Sequence, residues 1–365
     1  SCNANKEQKG LFELVSNSGI DFVNKVKDND SLNILNYRNF YNGGGVASGD
    51  INNDGLPDLF FTANQGSNKL YLNKGSFKFE DISEKAGFKN KLQYSTGVVF
   101  VDINNDGWLD IYVSNAGSLN NAELRKNQLY INNHDLTFTE RAHEYGLDDD
   151  GYTTQATFFD YDMDGDLDCF LINNSPIPVN SLGYPKQRDV LSKDWQVPEN
   201  LKGGGDHLFK NENGHFVEVT KQAGIHGTLM SFGLGITVAD INGDHYPDIY
   251  VSNDFFERDY IYINQRNGTF KDQANGDPRT DAGQLAEVLL YNRVLTSTEL
   301  TNTHTYLLNK WGISNVVSNV PVKSGLNLWL DAYDPSCVVT DSNSNVLLWR
   351  DKSLFQRHFT LPTAT

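Results

Sequence analysis

The chain has 365 residues, enough for a large core and for more than one domain. Its formal charge of −17 repels nucleic acid and anionic membrane surfaces and attracts cations. No apolar run approaches the roughly 18 residues of a membrane helix, and 31 glycines beside abundant Asn and Asp indicate the many turns of an all-β protein.

The first eleven residues read as a polar tether. Ser1-Cys2 followed by Asn3-Ala4-Asn5-Lys6-Glu7 looks like the start of a mature bacterial lipoprotein, whose exposed cysteine carries the lipid. The expectation is lipidation at Cys2 and an exported protein: an outer-membrane or cell-surface lipoprotein, or a periplasmic or secreted one. The other cysteines, Cys169 and Cys337, are far apart, so no disulfide framework is indicated.

From residue 12 to about 275 the chain repeats itself. Four segments superimpose: Asp50-Ile51-Asn52-Asn53-Asp54-Gly55-Leu56-Pro57-Asp58, then Asp102 to Asp110, Asp160 to Asp168 and Asp240 to Asp248. Each leads into a strand-like run such as Leu59-Phe60-Phe61 or Ile111-Tyr112-Val113. A second block follows: Lys69-Leu70-Tyr71-Leu72-Asn73, Gln128 to Asn132, His207 to Asn211 and Tyr260 to Asn264. A third closes the unit, as Phe79-Glu80-Asp81-Ile82-Ser83 with Ala86-Gly87-Phe88. Four short runs rich in Val, Ile, Tyr and Phe per unit describe a four-stranded propeller blade. Phe12 to Ile20 matches the third block and reads as an outer strand ahead of the first blade. Tyr71, Tyr130, Phe209 and Tyr262 recur at one position and read as core, as does Cys169 in place of Leu59, Ile111 and Ile249. The stretch from Ser175 to Gly205, with Tyr184 and Trp195, reads as an inert surface excursion rather than a partner-binding loop.

After about residue 275 the pattern stops. Ala286 to Arg293, Leu326 to Asp331 and Val346 to Asp351 read as strands. A helix opens near Thr296, capped by Ser297 or Thr298, and ends near Trp311-Gly312. Residues 276–365 resemble concanavalin-like, laminin-G-type modules, with the tail of one preceding the head of another.

The nonapeptides carry the chemistry. Calcium takes six to eight oxygens, and positions 1, 3, 5 and 9 offer side-chain oxygens while position 7 offers its carbonyl. The sets are Asp50, Asn52, Asp54, Leu56 and Asp58; Asp102, Asn104, Asp106, Trp108 and Asp110; Asp160, Asp162, Asp164, Asp166 and Asp168; Asp240, Asn242, Asp244, Tyr246 and Asp248. The third is the richest in acid. Gly55, Gly107 and Gly165 at position 6 suit a left-handed backbone, whereas His245 stands there in the fourth, which is expected to be the weakest. Phe61, Val113, Leu171 and Val251 occupy position 12, where an EF-hand needs Glu, so that alternative fails.

This pattern resembles the FG-GAP/VCBS repeat of integrin-α-type propellers, and "FEDISEKAGF" is most similar to the subgroup found with the UnbV/ASPIC module. The resemblance implies up to four Ca²⁺ ions and an extracellular setting. It also implies a larger ring of about seven blades, so four blades alone form an open arc with exposed edges that is expected to associate. The expected function is a calcium-binding, non-enzymatic binding or adhesion module on the cell surface, with a glycan or extracellular protein as its ligand. A polysaccharide-processing propeller enzyme and a structural spacer or assembly factor are the alternatives. No catalytic residue is singled out, because the repeat assigns the loop acids to metal sites.

Overall fold

The computed structural model describes residues 14–88, 93–176, 190–254 and 257–273. Beyond these it describes the strand residues 287–291, 326–331, 338–340, 346–349 and 359–360, with Thr296 and a few helical residues between 298 and 306. Cys2, Tyr184 and the expected helix end at Trp311 lie outside the described residues. The chain divides into two compact units, Ser1–Asp281 and Ala282–Thr365.

The first unit holds four antiparallel four-stranded sheets, each a simple meander. The first is β1 (Val46–Gly49), β2 (Asp58–Phe61), β3 (Lys69–Asn73) and β4 (Phe79–Asp81). The second is β5 (Tyr94–Val101), β6 (Asp110–Ala116), β7 (Gln128–Asn132) and β8 (Phe138–Glu140). The third is β9 (Thr153–Phe159), β10 (Asp168–Asn173), β11 (His207–Glu212) and β12 (His215–Glu218). The fourth is β13 (Gly233–Ala239), β14 (Asp248–Asn253), β15 (Tyr260–Asn264) and β16 (Phe270–Asp272). Register repeats from blade to blade: Leu59 pairs with Tyr71, Ile111 with Tyr130, Cys169 with Phe209 and Ile249 with Tyr262. All four aromatic partners are buried, and so is Cys169. These are blades of a propeller, and they do not close into a ring.

Apolar surface is buried between successive blades, as stacked repeats require. Ile51, Phe60 and Leu70 of the first blade pack on Ile111, Val113 and Tyr130 of the second. Val101, Ile103 and Leu129 of the second pack on Cys169, Leu171 and Phe209 of the third. Phe159, Tyr161 and Phe170 of the third pack on Ile249, Val251 and Tyr262 of the fourth. The second residue of each nonapeptide shows where the stack ends. Ile51, Ile103 and Tyr161 are 1%, 6% and 3% exposed, because the next blade covers them. Ile241 in the fourth blade is 50% exposed.

The opposite end of the stack is covered by the N-terminal segment. Phe22 stacks on Phe61 with ring centroids 5.1 Å apart, and the Tyr71 hydroxyl donates to Asp21 at 2.7 Å. The expected outer strand opens at Phe12, outside the described residues, and the described residues 14–20 run as turn and bend. There Ser18 accepts the Phe79 N–H through its carbonyl at 2.7 Å, and Ala223 accepts the Phe270 N–H in the same way, also at 2.7 Å. Ser18-Gly19 therefore docks on the first blade as Ala223-Gly224 of one blade docks on the next. This contact excludes a side chain. A Cβ on Gly224 would lie 2.7 Å from the Phe270 carbonyl oxygen, and its φ is +78°.

The insertion after β10 is partly internal. Trp195 is 6% exposed and donates its indole N–H to the Val190 carbonyl at 3.1 Å, so it anchors the loop rather than offering a ligand surface. In the second unit, β17 (Glu287–Tyr291) pairs with β18 (Leu326–Asp331). The strands β19 (Val338–Thr340), β20 (Val346–Trp349) and β21 (Phe359–Thr360) form a three-stranded sheet. Thr296 forms a cap at the start of the helix there, while Ser297 lies outside the described residues. The Thr296 hydroxyl accepts the Glu299 N–H at 3.3 Å while the Glu299 carboxylate accepts the Thr296 N–H at 2.9 Å, a capping box. Among the described residues no helix is long and apolar enough to cross a membrane.

Replacing Gly224 by Ala forces both a clash and a left-handed Ala. The expected loss is about 1–3 kcal/mol, read from urea melts against Gly214→Ala, where an added Cβ meets nothing within 4 Å.

Candidate metal centre

Each nonapeptide is the turn between the first two strands of its blade, so all four lie at the same end of their strands. Position 9 opens the second strand and is fully buried in every blade: Asp58, Asp110, Asp168 and Asp248 are 0% exposed. One carboxylate oxygen accepts the backbone N–H of position 2, from Ile51, Ile103, Tyr161 and Ile241, at 2.9–3.2 Å. The other accepts the N–H of an Asn at or next to the end of the third strand, from Asn73, Asn132, Asn211 and Asn264, at 2.7–2.9 Å. The amide of that Asn donates to the carbonyl just before the Asp, at Pro57, Leu109, Leu167 and Pro247. In two blades it also reaches the preceding or neighbouring blade: Asn132 donates to the Ile51 carbonyl at 2.9 Å and Asn264 to that of Tyr161 at 2.7 Å. Site reasoning from sequence passed over these asparagines, although their recurrence at the end of every second block was the available signal.

At Asp58, Asp110 and Asp168 burial raises the carboxylate pKa, and the other loop acids add to it. Asp110 is pushed up to about 6 and Asp168 to about 7, and Asp58 also rises.

Positions 1, 3 and 5 are gathered over the turn. Position 1 accepts the N–H groups of positions 5 and 6, as Asp50 does from Asp54 at 3.1 Å and Gly55 at 2.7 Å. Asp102, Asp160 and Asp240 repeat this. Position 5 accepts the N–H of position 7, from Leu56, Trp108, Asp166 and Tyr246. In three loops the position 3 amide donates to the position 5 carboxylate: Asn52 to Asp54, Asn104 to Asp106 and Asn242 to Asp244, at 2.9–3.1 Å. The predicted residues of each loop are thus linked by hydrogen bonds, position 7 through its N–H, but among the described residues only the third loop brings three carboxylates within 4.8 Å of one another.

The donor chemistry fits a hard cation. In the third loop, oxygens of Asp160, Asp162 and Asp168 lie within 4.8 Å of one another. Asp162 Oδ1 and Asp166 Oδ1 are buried without a hydrogen-bond partner. Oxygen-only donors around open lone pairs suit Ca²⁺ rather than a softer metal.

The backbone alters the expected ranking of the loops. Position 6 is left-handed throughout, with φ of +86° at Gly55, +85° at Gly107, +100° at Gly165 and +72° at His245. Position 4 is left-handed too, at Asn53, Asn105, Met163 and Gly243. Every loop therefore holds one glycine and one non-glycine in this region. The fourth merely exchanges them, so His245 is no reason for it to be weakest. Met163 in the third loop is the least suited residue.

The strand ends opposite these turns form a cleft of about 470 Å³, lined in part by Arg125, Asp149, Asp150, Lys202 and His207. Arg125 is 5% exposed and lies over the Tyr152 ring at 4.5 Å. Its Nε donates to the Asp150 carbonyl at 2.8 Å and its Nη1 to that of Ser118. His207 Nδ1 is 2.7 Å from Asp149 Oδ2. Burial alone would lower the imidazole pKa, but the Asp149 carboxylate outweighs it and holds the value at about 9.

Two outcomes follow from this geometry. Asp110→Asn sets an amide against two N–H donors and is expected to cost about 2 kcal/mol even in chelator. Asp54→Asn is expected to change the melt in chelator little and to weaken the response to Ca²⁺. For His207, a raised folded-state pKa means stability present below about 6.5 and lost as pH rises through about 9. Urea melts should show about 3 kcal/mol lost across that window, and His207→Gln should flatten the profile.

Comparison with known proteins agrees with the repeat. The family model described as FG-GAP-like repeat matches residues 41–113 and 200–251. Cartilage acidic protein 1 of Xenopus tropicalis is 32% identical over 137 residues, 37% of this chain and 20% of that protein. The Homo sapiens protein of that name is 37% identical over 76 residues, 20% of this chain and 12% of the relative. The chain thus spans a fifth or less of these relatives. Among solved structures, an Agrocybe aegerita lectin described as recognising non-reducing terminal N-acetylglucosamine aligns over 69% of this chain and 57% of its own, with a TM-score of 0.33 and 15% identity. The chain carries FG-GAP-like repeats, folded as four propeller blades.

Proposed function

We propose that this chain is a non-enzymatic binding module of an exported or cell-surface protein. Its blades are stapled by Ca²⁺ at one end and offer a glycan or protein ligand site at the other. The observation that carries this reading is the fourfold recurrence of one oxygen-rich turn at one end of the strands, away from the polar cleft. Asp50, Asn52, Asp54, Asp58 and the Leu56 carbonyl would hold the ion of the first loop, and the corresponding residues would hold it in the others. A carboxylate oxygen has two lone pairs, so position 9 can accept its N–H groups and still face a cation. The ion supplies charge neutralisation: four Ca²⁺ would bring the formal charge to about −9.

The cleft offers donors and acceptors together, in Arg125, His207, Lys202 and Asp150. Sugar hydroxyls both donate and accept, so such a wall suits a saccharide.

Melting in excess Ca²⁺ is expected about 5 °C or more above melting in EDTA; coincident melts would remove the staple. On a glycan array, saccharide retention is expected and should fall about tenfold in His207→Gln. No retention above background, with the Ca²⁺ shift intact, would leave a stapled fold with a protein ligand instead.

A further inference from the structure

The third loop differs from its neighbours in one paired feature. Its position 3 is Asp162, which has no amide to donate to position 5, Asp164. The bridge is made instead by Lys210, whose Nζ donates to Asp162 and lies 3.2 Å from Asp164 Oδ2. Lys210 sits on β11 at the position held by Leu72, Ile131 and Ile263 in the other blades. Those three are buried aliphatic residues, 5%, 6% and 6% exposed. Blades one, two and four thus combine Asn with an aliphatic residue, and the third combines Asp with Lys. The pairing keeps the turn bridged while adding one negative and one positive charge.

We propose that Lys210 is a resident cation of the third loop. Its ammonium closes Asp162 onto Asp164 without metal, and a divalent cation enters this loop only by displacing it. The geometry is firm because the contact is partly sheltered: the Lys210 side chain is 29% exposed and that of Asp162 15%. An ammonium and a hard divalent ion compete for the same carboxylate oxygens. The carboxylate-richest loop is then the one that least needs calcium to fold and binds it less tightly than its five aspartates imply. Among the described residues the first loop has no such cation on its ligands: Lys69 pairs with Asp81 and Lys74 with Glu80. It is therefore the loop that depends most on metal. Elsewhere a single carboxylate is met: Asp106 by His134 and Asp244 by Arg266, at 3.1 and 3.0 Å.

The displacement step rests on the calcium reading, and the test separates the two. Lys210→Ile restores the residue of two other blades, Asp162→Asn restores their amide, and the double variant restores both. Each is melted in EDTA and titrated calorimetrically with Ca²⁺. Lys210→Ile is expected to melt lower in EDTA and to gain at least tenfold in Ca²⁺ affinity at one site. The double variant is expected to recover most of the EDTA melt and to lose that gain. An unchanged EDTA melt together with an unchanged isotherm in Lys210→Ile, while the wild-type chain binds Ca²⁺, overturns the proposal and spares the calcium reading. Flat isotherms for every variant overturn the calcium reading and the displacement step with it.

Discussion

A carboxylate at 0% exposure that accepts backbone N–H groups from two different places is the constraint on which this molecule is built. Asp58, Asp110, Asp168 and Asp248 each join the start of a turn to the end of the third strand. The bonds hold three strands of a blade in register at one end. Taking a carboxylate out of water is tolerable only because both oxygens are satisfied. At Asp58, Asp110 and Asp168 the same burial raises the carboxylate pKa. The turn residues are then gathered above this buried acid, with their carboxylates crowded. That crowding is the electrostatic problem each loop must solve.

The loops solve it by different means with one geometry. Asn52, Asn104 and Asn242 spread charge by donating an amide hydrogen bond across the turn. Asp162 cannot, and Lys210 reaches in from a neighbouring strand. His134 and Arg266 come from the turn between the last two strands, at the same end of the blade. Repetition of a backbone does not imply repetition of its electrostatics, because each copy recruits partners from other strands.

Much of the blade architecture was legible from residues alone. The alternation of turn residues with runs such as Ile111-Tyr112-Val113 marks strands through local geometry. The burial of Tyr71, Tyr130, Phe209 and Tyr262 follows from their recurrence. What was not legible depends on partners distant in sequence or on backbone angles. Counting acids ranked the third loop richest, but Lys210 lies some 40 residues beyond it. The left-handed position 4 was hidden because Asn53, Asn105 and Met163 are not glycines. The N-terminal segment reads as a strand from its match to Phe79-Glu80-Asp81; Phe12 and Glu13 lie outside the described residues, and what the structure adds is that Ser18-Gly19 docks as a turn. The cap at Thr296 was missed because its partner, Glu299, was not weighed with it.

The exposed Ile241 gives this stack a direction. Each of the first three blades is held by the one that follows it, through the apolar contact at position 2, and among the described residues no further blade follows the fourth. The N-terminal end is sealed by Phe22 and Asp21. Fraying is therefore one-sided. The fourth blade opens at the smallest free energy and the others are released in turn behind it, as a zipper runs from its loose end.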